Sequence, residues 1–148
     1  MGHERILVPF GAEHVLQHDP QPGHRAEFLG MLRSGVDWAR GQIDGMAFSG
    51  FRGYQLLGCA GVVPQWEGRS IAWALLSQHI RRHDMLWIHR KTMSFFDRIQ
   101  DDHCRIETCV GMGFAPGHRW AKMLGFEMEG VMKQYCMGLD YALYARTC

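Results

Sequence analysis

Gly125 restricts this chain more than any other residue, because of what stands on either side of it. Residues 103–110 read as a strand, and a loop broken by Gly111, Gly113, Pro116 and Gly117 follows. Residues 119–124 then form a short helix that stops at Gly125, with Phe126 opening the next strand. A helix ending this way puts glycine just past its cap, where the backbone turns left-handed at low cost only without a Cβ. Residues 127–133 and 140–146 supply two closing strands. The last third is therefore strand, helix, strand, strand. At 148 residues the whole is one domain, long enough to bury roughly two-thirds of its unfolded surface.

The earlier part supplies the rest of a sheet. Residues 5–9 form a short first strand ended by Pro9 and Gly11, and residues 12–18 form a brief helix broken by the Pro20 and Pro22 stretch. A second helix is expected over residues 24–33, with Phe28, Met31 and Leu32 on its apolar side; residues 35–41 suit a loop or a short strand. Residues 45–51 and 54–63 are apolar runs around Arg52 and Gly53, a hairpin signal. Residues 64–69 are expected to loop out, and the apolar run 71–76 has the length of a buried strand. From residue 84 to 100 the period becomes helical, with Met85, Ile88, Thr92, Phe95 and Ile99 on one side and Asp84 as N-cap. With no repeat and no linker, residues 1–148 make one α/β (α+β) domain: a mixed, mostly antiparallel sheet flanked by helices.

Sixteen basic residues against fifteen acidic ones leave a net charge of +1, so no global field advertises a nucleic-acid or membrane partner. No apolar run approaches the ~20 residues that cross a bilayer. The five cysteines (Cys59, Cys104, Cys109, Cys136, Cys148) include no CxxC pair, and residues 1–5 carry no secretory signal. The expectation is reduced thiols in a cytoplasmic protein.

The order strand, long helix, strand, short helix ending in Leu124-Gly125-Phe126, then a final hairpin resembles a GNAT-type (Gcn5-related) N-acetyltransferase over residues 45–146. The resemblance implies acetyl-CoA as cosubstrate and an amine acceptor, small molecule or protein, joined by direct transfer in a ternary complex. It is compatible with a homodimer. It places the pantetheine arm beside Trp73, Leu75, Leu76 and Ser77, and the pyrophosphate at residues 77–84, on a helix N-terminus whose first N–H groups lack partners. The family's phosphate loop, Gln/Arg-x-x-Gly-x-Gly/Ala, is here Gln78 to His83 with neither glycine, so Arg81 and Arg82 are the side chains suited to phosphate, with His83 and Asp84 beside them. The family's tyrosine acid, four residues before the Gly-Phe pair, is Ala121. This degenerate pattern is similar to small acetyltransferase-like proteins of tailed phages, which implies host cytoplasm or virion as the setting. It also raises an alternative function, a catalytically degenerate GNAT-fold phage protein with a virion-structural or host-interaction role.

Acetyl transfer to an amine needs a bound thioester, a neutral amine and a proton route. Glu107, in the strand with Arg105 and Cys109 on the same side, is the candidate base; it equally suits an ion pair with Arg105. His118, near the start of the short helix, suits either proton role. Tyr135, Tyr141 and Tyr144 are acids the last hairpin offers, or packing residues. No metal site is expected: His79 and His83 stand at i, i+4 without a third ligand, and Cys104 and Cys109 point to opposite strand faces. Neither a G-x-S-x-G elbow nor a Walker loop is present, which removes hydrolase and kinase readings.

Overall fold

The structure, a computed structural model, describes residues 4–24 and 46–148. The helix expected from residue 24 to 33 and the stretch 35–41 fall outside the described residues, His24 apart. The elements are β1 (Arg5–Pro9), α1 (Ala12–Gln17), β2 (Ala47–Arg52), β3 (Gln55–Trp66), β4 (Arg69–Leu76), α2 (Arg82–Ile99), β5 (Arg105–Gly111), α3 (Ala115–Met123), β6 (Glu127–Cys136) and β7 (Leu139–Thr147), with a 3-10 turn at Pro22–His24. They build a seven-stranded sheet in the order β1-β2-β3-β4-β5-β7-β6. Every neighbouring pair is antiparallel except β4 and β5. This is the α+β domain read from the sequence.

Strand alternation sends side chains to two faces, and each face has its own core. On one, Val62, Ala72, Ile106, Val110, Ala142 and Tyr144 meet Phe96 of α2, Ala121 of α3 and Leu124 at its C-cap. Phe126 joins them, with its ring 5.5 Å from that of Phe96 in an edge-on contact. On the other face, Ala47, Leu56, Cys59 and Leu75 are covered by Phe10 and by Val15 of α1.

The end of α3 is a Schellman motif. Gly125 N–H donates to Lys122 O at 3.0 Å, Phe126 N–H donates to Ala121 O at 3.0 Å, and Gly125 has φ +90°. Phe126 is thereby aimed into the core, as its place after the glycine implies.

Three expectations need correction. Residues 64–69 do not loop out. Instead β3 runs on to Trp66, a register shift between Pro64 and Trp66 absorbs the proline, and Gly68 at φ +84° closes a tight turn into Arg69. The Arg69 guanidinium sits 4.3 Å from the Trp66 ring centroid, which holds this outer end of the hairpin. Asp84 is not the N-cap of α2; that position is Arg81, and the Asp84 carboxylate reaches back to it from the first turn. The five thiols are not all free, because Cys104 and Cys148 form a disulfide and Cys148 N–H donates to Cys104 O at 2.9 Å. The spacing of cysteines in sequence could not show that β7 brings the chain end beside the start of β5. With that pair joined, the thiol argument for a reducing compartment no longer stands. Among the described residues, no helix is long and apolar enough to cross a membrane.

Candidate functional site

β4 and β5 are joined at one end only. Their register runs Arg69↔Arg105, Ser70↔Ile106, Ile71↔Glu107 and then stops. Ser77 N–H donates to Leu57 O at 2.9 Å, so the odd-numbered residues of β4 turn their backbone groups toward β3. Ala72, Ala74 and Leu76 turn theirs the other way, where β5 has already parted from β4. The result is a cleft of about 900 Å³ between the strands. Ala72, Trp73, Ala74 and Leu76 line it from β4, Thr108, Cys109 and Val110 from β5, and Phe114 and Trp120 from the α3 side. Its lining is mostly apolar with exposed backbone at one edge, which suits a long flexible chain carrying amides.

The cofactor residues named from sequence separate into groups. Trp73 and Leu76 line the cleft. Leu75 is fully buried in the α1-side core and does not. Ser77 is buried and shapes the loop, its Oγ accepting from His79 N–H at 3.1 Å. Arg81, Arg82 and His83 stand exposed at the beginning of α2.

Asp84 has another job. Its carboxylate is completely buried between Arg5, which donates at 2.7 Å, and Arg52, and it accepts from Arg81 N–H at 2.8 Å. Burial opposes its charge, but the Arg81 amide and the two guanidinium groups outweigh that and hold its pKa below the usual carboxylate range. This triad ties β1 and β2 to the start of α2. At the other end of that helix, Arg146 of β7 donates to Gln100 Oε1 and Asp97 Oδ1, each at 2.7 Å.

The loop before α2 has little free backbone. Gln78 N–H donates to Asp19 O at 3.0 Å, His79 N–H to Ser77 Oγ, and Arg81 N–H to Asp84. In a loop with glycines the backbone itself can approach an anion closely. Here those donors are already taken, and the exposed cationic side chains of Arg81 and Arg82 are what the helix start offers.

The two catalytic candidates both sit in structural pairs. Glu107 lies at the closed end of the cleft. Arg69 donates to its two oxygens at 3.0 and 2.6 Å, and Arg105 donates to one of them at 2.7 Å. The Arg69 bonds, more than the opposing desolvation, hold its pKa below the ordinary glutamate value. Arg105 goes on to Glu129 of β6, so the four side chains form a chain of alternating charge across β4, β5 and β6. His118 is a latch. Its Nε2 lies 3.0 Å from Gly111 O and 3.1 Å from Met112 O, so it carries the proton and donates. Its Nδ1 then accepts from the buried Tyr144 hydroxyl at 2.7 Å, and α3 is pinned to the end of β5 and to β7.

Of the hairpin tyrosines, Tyr141 and Tyr144 are buried, whereas Tyr135 is 55% exposed and lines the cleft. Its ring packs 5.4 Å from Tyr141. Cys59 also lines the cleft, but burial pushes its thiol up to about 11, and it is inert as a nucleophile at neutral pH. Among the described residues no group of His, Cys, Asp and Glu is arranged to hold a metal. The pairing of Asp84 with Arg5 and Arg52 was not legible in sequence, since the partners are 79 and 32 residues away.

No protein-family model matches the sequence, and no curated protein does. Solved structures do match. An acetyltransferase of the GNAT family from Bacillus anthracis superposes with a TM-score of 0.69 at 10% identity, covering 99% of this chain and 98% of that one. A GNAT-family acetyltransferase from Streptococcus pneumoniae gives 0.67 at 9% identity, covering 97% and 99%. Ribosomal-protein-alanine N-acetyltransferase from Brucella melitensis gives 0.65 at 14% identity, covering 97% and 99%. The chain has the fold of the GNAT acetyltransferases.

Proposed function

We propose that this protein is an acetyl-CoA-dependent N-acetyltransferase acting by direct transfer to an amine. The observation that carries the reading is the parting of β4 from β5 after Ile71 and Glu107. It leaves the outward backbone of Ala72 and Ala74 facing a cleft long enough for a pantetheine arm, whose amides pair as a strand would. The positive end of the α2 dipole, with Arg81, Arg82 and His83, supports the phosphate end. The neutral acceptor nitrogen attacks the thioester carbon, the C–S bond breaks, the nitrogen gives up a proton to solvent, and the leaving thiolate takes one. We assign that proton to Tyr135, a half-exposed phenol on the cleft lining. The kinship with phage proteins and the cytoplasmic setting belong to this proposal as readings of the sequence.

The test is thermal unfolding with CoA, followed by release of free CoA thiol from acetyl-CoA over a panel of amines. A ligand at 100 times its Kd adds about 2.7 kcal/mol to stability. Arg81→Ala with Arg82→Ala should weaken CoA binding by about 2–4 kcal/mol, from two lost charge-assisted bonds. Tyr135→Phe should keep CoA binding and lower turnover by about 10²-fold or more. A protein that CoA does not stabilise would leave the fold with a binding role alone.

A further inference from the structure

The segment from Asp19 to Gly23 lies across the mouth of the cleft and touches both lips. On the β4 lip, Gln21 N–H donates to Leu76 O at 3.3 Å and Gln78 N–H donates to Asp19 O at 3.0 Å, with Pro20 opposite Ser77. These bonds use the side of β4 that faces away from β3, so the segment is held to the cleft edge by one antiparallel bridge. Side chains tighten the join. Gln21 Nε2 donates to Ser77 O at 3.4 Å, and the Asp19 carboxylate accepts from Gln78 Nε2 at 2.6 Å and meets His79 Nε2 at 2.8 Å. On the other lip, Gly23 rests against the Phe114 ring at the N-cap of α3. A Cβ on Gly23 would stand 1.9 Å from a ring carbon, so a side chain there would force the segment off the ring.

We propose that residues 19–23 are an autoinhibitory strap, closed over the cleft in the free protein and displaced from β4 when acetyl-CoA binds. The inference rests on reading the cleft as an acetyl-CoA site. An arm running from Ala72 and Ala74 to a pyrophosphate at the start of α2 passes Leu76 and Gln78, whose outward backbone groups the strap holds, and one edge pairs with one strand at a time. Charge points the same way. Asp19 holds the loop donors Gln78 and His79, and Asp84 holds the Arg81 amide, so carboxylates of the chain itself occupy donors that a pyrophosphate would use. A negative Asp19 beside the α2 N-terminus also repels an incoming phosphate. The polar join is half-exposed, with Asp19 and His79 side chains at 47% and 48%, which suits a contact that opens locally while the fold persists. If the strap is closed about nine-tenths of the time, apparent CoA affinity falls about tenfold.

The experiment measures CoA binding by calorimetry and exchange of the Gln21 amide hydrogen, in the wild type and in Asp19→Ala. The strap requires that CoA speed exchange at Gln21, whose N–H is freed from Leu76 O when the segment leaves β4, and that Asp19→Ala bind CoA about 5–10-fold more tightly. Gly23→Ala, which disturbs the Phe114 lip without removing a polar group, should reproduce the gain, with thermal midpoints verifying that both variants are folded. Unchanged or slower exchange at Gln21 with CoA bound, or affinity unchanged or weakened in both variants, would make the segment a fixed wall and overturn the proposal. Absence of CoA binding in all three proteins would instead overturn the acetyl-CoA reading itself.

Discussion

The two ends of the β4–β5 seam are built on opposite principles. At the closed end, backbone ladder bonds are supplemented by the chain Arg69–Glu107–Arg105–Glu129, which links β4, β5 and β6 through side chains. At the open end the ladder is missing, and the backbone edge of β4 faces a cleft crossed, among the described residues, by residues 19–23. The charged closed end lets the strands part without the sheet splitting in two, because a seam with few ladder bonds needs another attachment. A cleft inside a sheet thus depends on polar groups placed along its closed seam. The proposed function gives Glu107 to that attachment because of where it sits along the seam.

The largest expected effect comes from the buried triad beside the open end. Asp84→Ala leaves Arg5 and Arg52 facing a cavity without their carboxylate, and should cost about 3–5 kcal/mol in denaturant unfolding. A loss under about 1 kcal/mol would show that the start of α2 is held by something other than this triad.

Glu107→Gln attacks the closed end and should cost about 1–2 kcal/mol, discounted because its arginine partners are partly exposed. Turnover per folded molecule should stay within about threefold, since a base would lose roughly 10²–10⁴. A large loss that shrinks as pH rises would restore Glu107 as the base and erase the contrast between the two ends.

Gly125→Val tests the far lip through the helix that carries it. The residue sits at φ +90°, and a Cβ there would meet Arg146 Nε at 3.2 Å, so a cost of at least about 1–2 kcal/mol is expected. An unmoved denaturant midpoint would mean that α3 does not depend on its Schellman stop.

The smallest effect is a slope with pH. Glu107 and Asp84 both have folded pKa values below their ordinary 4.5 and 3.8. A depressed carboxylate contributes stability that is complete above its unfolded value and is lost as pH falls through its folded value. Stability should therefore decline on acidification from about pH 5, and Glu107→Gln should flatten part of that decline. An identical slope in the variant would separate the closed end from acid unfolding.

Much of the fold was legible because it is written locally. The Gly125 stop, the period of α2 and the apolar runs of β2, β3 and β4 are patterns within a few residues of each other. The turn at residues 67–68 escaped notice because Pro64 and Gly68 look like loop residues unless the partner strand is known to absorb one of them as a bulge. The site was less legible. Its edge was approximately placed, with Trp73 and Leu76 on the cleft, but the roles of Glu107, His118 and Asp84 depend on partners contributed by other elements.

By itself, the sequence determined a single α+β domain, the order of most of its strands and helices, and the glycine that turns Phe126 into the core. These follow from backbone sterics and side-chain periodicity, which act over one turn of helix or one pair of strand residues. Only the tertiary structure decided which charges meet, that Cys104 joins Cys148, where β4 leaves β5, and that Asp19 lies against Gln78 and His79. Each of these joins residues tens of positions apart, and a carboxylate takes its pKa and its function from whatever the fold packs beside it.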